Sequence, residues 1–150
     1  MNILIVDDEE VLRDVLTQLV RQEGHEPICA SSGEAALTLL ADEDVDLVLL
    51  DLMLPGLTGQ EVLKQIRDQD PDQVVIVITA FSSIDGAIEA MKDGAFHYIS
   101  KPFKNEEVLH TMRKALESRQ LTTENRELKQ QLRERFGFEV EEEIQFVGEF

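Results

Sequence analysis

The 150-residue sequence has no tryptophan, one tyrosine, one cysteine and four prolines. A lone thiol, Cys29, forbids an internal disulfide and reads as a small buried residue, so the fold must rest on its core. No apolar run approaches the roughly 18 residues that cross a bilayer. No basic-plus-apolar leader precedes the run Ile3-Leu4-Ile5-Val6. A cytoplasmic protein without a membrane span or secretion signal is therefore expected. Positive charge is scarce as well, with 14 Lys/Arg against 31 Asp/Glu and a net charge of −17. Direct nucleic-acid binding by these residues is disfavoured, because a phosphate backbone would be repelled. The deficit is uneven: residues 1–103 carry 6 basic against 20 acidic side chains, and residues 104–150 carry 8 against 11.

What is present is aliphatic and alternating. Hydrophobic residues make up 43% and aromatics 5%, a composition suited to an α/β core. At this length one domain with an extra element is expected. Apolar runs rich in Val and Ile occur at 2–6, 45–50 and 74–78, with weaker ones at 26–30 and 96–99. Between them Val11, Leu12, Val15, Leu16 and Leu19 follow helical spacing, as do Ala35, Ala36, Leu39 and Leu40, then Val62, Leu63 and Ile66. Ser31-x-x-Glu34 and Thr58-x-x-Glu61 read as capping boxes, and Gly24 and Gly94 stand where helices should stop. Five strands alternating with five helices predict a doubly wound parallel sheet. Strands buried on both faces explain runs that are apolar throughout.

The last third differs. A helix is expected from Asn105 as N-cap, packing Leu109, Met112 and Leu116 on the sheet. Beyond it Leu121, Asn125, Leu128 and Leu132 form a narrow seam, suited to a two-stranded coiled coil with Asn125 setting the register. A solvated single helix is the competing reading. The expected division is 1–118, a helical linker at 119–136, and the start of a truncated downstream domain at 137–150.

Three strand ends carry chemistry. Asp51 closes Asp46-Leu47-Val48-Leu49-Leu50-Asp51 just before a Pro-Gly turn, Asp7-Asp8-Glu9-Glu10 follows the first run, and Lys101-Pro102 follows the last. Open α/β sheets place their sites at this C-terminal rim. Asp7, Asp8 and Asp51 would be costly to crowd together without a cation, and a hard-oxygen set with no His/Cys ligands suits Mg²⁺. Thr79 offers a hydroxyl beside the small Ala80, and Lys101 a positive charge able to hold a phosphoryl oxygen. A carboxylate with Mg²⁺, a lysine and a hydroxyl around it is equipped to form an acyl phosphate.

On these residues the sequence, over about positions 1–118, resembles the response-regulator receiver domain of bacterial two-component signalling. Asp7-Asp8, Asp51, Thr79 and Lys101-Pro102 occupy every place of that family's pattern. The resemblance implies that Asp51 accepts a phosphoryl group from a histidine kinase and that Asp7, Asp8, Asp51 and the Met53 backbone carbonyl bind Mg²⁺. It further implies that Thr79 and Lys101 contact the phosphoryl oxygens, that the Lys101–Pro102 peptide is cis, and that Tyr98 is the switch aromatic moving with the Thr79 loop. The resemblance also implies a flavodoxin-like sheet in the strand order 2-1-3-4-5, and a domain that catalyses its own phosphorylation and dephosphorylation as a switch rather than a turnover enzyme.

Pro55-Gly56-Leu57-Thr58-Gly59, Thr79-Ala80-Phe81, the seam helix and Phe146-Val147-Gly148-Glu149 are similar to NtrC-like, sigma-54-dependent activators. That implies an AAA+ ATPase beyond the linker and a homodimer through the linker helix. A stand-alone receiver or a dimerisation module with another output is the alternative. An FMN carrier of the same fold needs a phosphate loop where Asp7-Asp8-Glu9-Glu10 would repel phosphate. A haloacid-dehalogenase-type phosphatase wants a second acid where Met53 stands.

Overall fold

The computed structural model describes residues 1–81 and 83–136. The expected downstream domain at 137–150 lies outside the described residues. The chain divides into two compact units, Met1–Arg119 and a second beginning at Gln120.

In the first unit, strands β1 (Asn2–Val6), β2 (Glu26–Ala30), β3 (Leu47–Leu50), β4 (Val74–Thr79) and β5 (His97–Ser100) form one parallel sheet ordered β2-β1-β3-β4-β5. Helices α1 (Glu10–Gln22), α2 (Gly33–Asp42), α3 (Gly59–Gln69) and α4 (Ile84–Lys92) connect them, and α5 begins at Asn105 and runs to Phe136. The expected topology holds. Successive strand residues point to opposite faces, so the sheet feeds two cores. Ile3, Ile5, Leu47, Leu49, Ile76 and Ile78 pack with α1 and with Val108, Leu109, Met112 and Leu116 of α5. Leu4, Val6, Val48, Leu50, Val75 and Val77 pack with Ala36 of α2, Val62, Leu63 and Ile66 of α3 and Ala90 of α4. The three central strands are covered on both sides, as their unbroken apolar runs require.

Register aligns the strand ends. Val6 pairs with Leu50, Leu50 with Val77 and Val77 with Tyr98. The residues that follow β1 and β3, Asp7 and Asp51, therefore leave the sheet side by side.

Local signals hold with small displacements. Thr58 and Glu61 make the reciprocal capping box, Glu61 N–H to Thr58 Oγ1 and Thr58 N–H to Glu61 Oε2, both 3.2 Å. Gly24 and Gly94 adopt φ of 81° and 97°, the left-handed conformation of a helix stop. At α2 the cap is Ser32, one residue later than expected, its hydroxyl accepting the Ala35 N–H at 3.1 Å. Glu34 then stands too early in the helix to close a box. At α5 the Lys104 carbonyl already accepts the Val108 N–H, so Asn105 lies within the first turn. Cys29 is exposed rather than buried, because β2 is an edge strand with one flank uncovered.

The unit that begins at Gln120 is helical through Phe136. Its surface is tied by side-chain bonds one turn apart, Gln120 to Glu124 at 3.1 Å and Gln130 to Glu134 at 2.9 Å. Leu121 and Leu128 are 60% and 50% exposed, so a single helix leaves them in water. No helix among the described residues is long and apolar enough to cross a membrane.

Candidate functional site

At the rim, Lys101 Nζ lies 2.8 Å from Asp7 Oδ2 and 2.8 Å from Asp51 Oδ2. All three side chains are largely enclosed, Lys101 10% exposed and Asp7 and Asp51 less. Burial opposes the lysine's charge, but hydrogen bonds and charge from Asp51 and Asp7 outweigh it and hold its pKa above the usual value. The remaining carboxylate oxygens are also engaged: Asp7 Oδ1 accepts the Glu9 N–H and Asp51 Oδ1 the Met53 N–H, each at 2.9 Å. Asp8 is exposed at the mouth, and one oxygen from each of Asp7, Asp8 and Asp51 falls within a 4.8 Å group. Three carboxylates and one ammonium leave two net negative charges. A hard divalent cation matches both that charge and the all-oxygen donor set.

The backbone explains why these side chains meet. The Asp51 amide donates to the Val6 carbonyl at 3.0 Å and the Asp7 amide to Ala30 at 3.2 Å, extending the sheet to the functional residues. The Lys101 amide donates to the Thr79 carbonyl at 2.9 Å, so β4 and β5 deliver Thr79 and Lys101 as a pair. Thr79 is fully buried, and its hydroxyl accepts the Phe81 N–H at 3.2 Å. The Lys101–Pro102 peptide is cis, as expected. Tyr98 is half-buried and packs against the core that holds Leu50 and Val77. Its hydroxyl is buried with no hydrogen-bond partner among the described residues. Burial, and then the Asp51 charge, raise its pKa above the ordinary value of 10.0.

Asp7, Asp8, Asp51 and Lys101 are thus gathered into one cluster, while Thr79 faces its own loop. Met53 meets Asp51 through its backbone N–H, and its side chain is exposed. Two contributors escaped the sequence reading. Arg13 reaches back from α1 and donates to the Asp7 carbonyl at 2.8 Å, a role its position one turn into an acidic-headed helix could have suggested. Gly59 lets α3 start against the site: a Cβ there would sit 2.2 Å from the Asp51 carbonyl oxygen and 2.4 Å from Leu52 Cα. Its place directly after the N-cap Thr58 was the available signal.

Residues 3–113 match the family profile of the response regulator receiver domain. The chain belongs to that family and is a receiver domain of two-component regulators. It is 38% identical over 130 residues to the regulatory protein AtoC of Escherichia coli, covering 87% of this chain and 28% of that protein. Among solved structures, NtrX from Brucella abortus in complex with ADP matches with a TM-score of 0.79 at 35% identity, over 85% of this chain and 30% of that one. The response regulator TrrA of Thermotoga maritima, in complex with Mg²⁺ and beryllium fluoride, matches with a TM-score of 0.71 at 35% identity, over 77% and 98%. The chain spans little more than a quarter of AtoC's length.

Proposed function

We propose that this chain is a phosphorylation switch in which Asp51 takes a phosphoryl group from a histidine kinase. The observation that carries the reading is Lys101 Nζ placed 2.8 Å from both Asp7 and Asp51, with Asp8 at the mouth. An Asp51 oxygen attacks phosphorus, the bond from phosphorus to the donor's imidazole nitrogen breaks, and the imidazole departs as an acyl phosphate forms on Asp51. Asp7, Asp8, Asp51 and the Met53 carbonyl would hold Mg²⁺, which when bound neutralises charge on the carboxylates and the transferring group. Lys101 is poised to follow a phosphoryl oxygen, its ammonium being fixed by Asp7 as well as Asp51. Thr79 would exchange its bond to Phe81 N–H for a second phosphoryl oxygen, and Tyr98 would follow the loop. The Mg²⁺–beryllium fluoride complex of TrrA, a mimic of this state in a related fold, supports the assignment.

The receiver is assigned to residues 1–118, and 119–136 to a linker that pairs two copies. The switch would act in the cytoplasm on a sigma-54-dependent transcription activator's AAA+ domain, of which 137–150 would be the beginning. The match to part of a longer regulatory protein and to ADP-bound NtrX supports such an output. Acetyl phosphate with Mg²⁺ should give one labile phosphoryl adduct per chain, suppressed by a chelator. Bound flavin, or rapid turnover of many phosphomonoesters, would favour the rival classes.

A further inference from the structure

The loop from Asp51 to Thr58 is fixed at both ends and needs a tether in its middle. Met53 N–H is bonded to Asp51 Oδ1, Leu52 and Leu54 are buried, and Gly59 N–H closes on the Leu52 carbonyl at 3.1 Å. Between these anchors lie Pro55, with no N–H to donate, Gly56 and Leu57. Leu57 N–H donates to Glu34 Oε1 at 3.0 Å, across from the first turn of α2. The two segments lie closely together there. A Cβ on Gly56, which has φ of 72°, would fall 3.0 Å from the same Glu34 oxygen. One on Gly33 would fall 2.9 Å from the Leu57 carbonyl oxygen and 2.6 Å from Val62 Cγ2. Hydrogen bonds from its own backbone and from Leu57 hold the Glu34 carboxyl below the usual carboxylate range, so the acceptor is charged at neutral pH.

We propose that Glu34 is a positioning residue for the metal-binding half of the site, clasping the Leu57 amide so that the Met53–Leu57 loop presents the Met53 carbonyl already oriented. The inference rests on the metal reading given above. Without the clasp, the loop's ordering would fall on cation binding, and affinity would drop although no ligand had been touched. Groups bonded directly to a metal's ligands commonly act this way, and Glu34 would do so at one further remove, through the loop.

The test uses the 150-residue chain with Mg²⁺ alone as probe. Amide shifts around Asp51 report the Mg²⁺ dissociation constant, and hydrogen exchange of the Leu57 amide is read without metal. Glu34→Ala should weaken Mg²⁺ roughly tenfold and remove protection of the Leu57 amide. Glu34→Gln, whose side-chain oxygen can accept the same N–H, should restore most of both. Should Glu34→Ala fail to fold, Gly56→Ala disturbs the clasp from the loop side and should likewise weaken Mg²⁺. Parent-like Mg²⁺ affinity in Glu34→Ala, or weakened affinity with Leu57 still protected, overturns the positioning role alone. A parent chain that binds no Mg²⁺ overturns the metal reading and this inference together.

Discussion

Lys101 and Asp51, 50 residues apart in the chain, meet through a 2.8 Å contact between Nζ and Oδ2. The strands that carry them are separated in the sheet by β4, whose register with both brings the two ends level. The same ammonium serves Asp7, so one cation holds two enclosed carboxylates in place. On the proposed reading, a phosphoryl group would meet charged groups already gathered rather than assemble them.

Backbone contact at Gly59 should make that organisation sensitive to one methyl group. In Gly59→Ala the new Cβ would meet the Asp51 carbonyl and Leu52 Cα, neither of which can rotate away. A loss of about 2–3 kcal/mol of unfolding free energy is expected from such overpacking, together with slower labelling from acetyl phosphate. Urea unfolding measures the first. An unchanged midpoint would mean that α3 is free to shift.

Tyr98, the only tyrosine in a chain without tryptophan, can be titrated alone by its near-ultraviolet phenolate absorbance. Its pKa is raised in the folded chain, so the folded state holds the proton longer than the unfolded state. The corresponding stability is intact below the ordinary tyrosine value of about 10 and is lost as pH rises through the folded pKa. Native protein should therefore titrate above the denatured chain. Asp51→Asn should bring the native value part of the way back, since the Asp51 charge is one of the two causes. An Asn variant titrating like the parent would separate Tyr98 from the site.

Signalling should reach the surface beside Tyr98. Beryllofluoride with Mg²⁺, standing in for the acyl phosphate, is expected to shift amide resonances across α4, β5 and the start of α5. That would be a bias between two arrangements of one fold. Shifts confined to residues around Asp7, Asp51 and Lys101 would contradict a switch.

Pairing through the linker makes a separate prediction. Leu121 and Leu128 are exposed on the helix that follows Arg119, and burying a leucine fully contributes roughly 1.5–3 kcal/mol. Two copies in parallel should gain several such increments before association entropy is subtracted, giving a weak dimer. Sedimentation equilibrium should show that dimer at high micromolar concentration, and Leu128→Lys should return it to monomer. A monomeric parent, or a variant that dimerises equally, would contradict the pairing.

Most of the rim was legible because β1, β3, β4 and β5 each end in or lead into a polar or charged residue that stands out from the strand. Asp7, Asp51, Thr79 and Lys101 stand out against Ile3–Val6, Leu47–Leu50, Val74–Ile78 and the last strand, and one parallel topology then brings them to one edge. Contacts between side chain and distant backbone left no such trace. Glu34 looked like half of a capping box at Ser31, because the helical pattern does not show that its oxygen is claimed by Leu57, 23 residues away. Cys29 was read as buried from its residue type alone, although the expected strand order already put β2 at the sheet's edge, where it is exposed. Val45 belongs to an apolar run and is buried, yet stands outside β3, which begins only at Leu47. Where a strand starts is decided by its neighbours' register rather than by its own composition.

The central claim is that Asp51 carries the phosphoryl group, and peptide mapping after labelling addresses it most directly. The 150-residue chain, treated with acetyl phosphate and Mg²⁺, is digested under mild acid and its fragments are weighed. One base-labile adduct on the fragment containing Asp51 is predicted, absent in Asp51→Asn and strongly reduced in Asp8→Asn, which removes a metal-ligand charge but leaves the acceptor. Labelling of Asp51→Asn at the parental level, or an adduct mapped to a different fragment, would contradict the account.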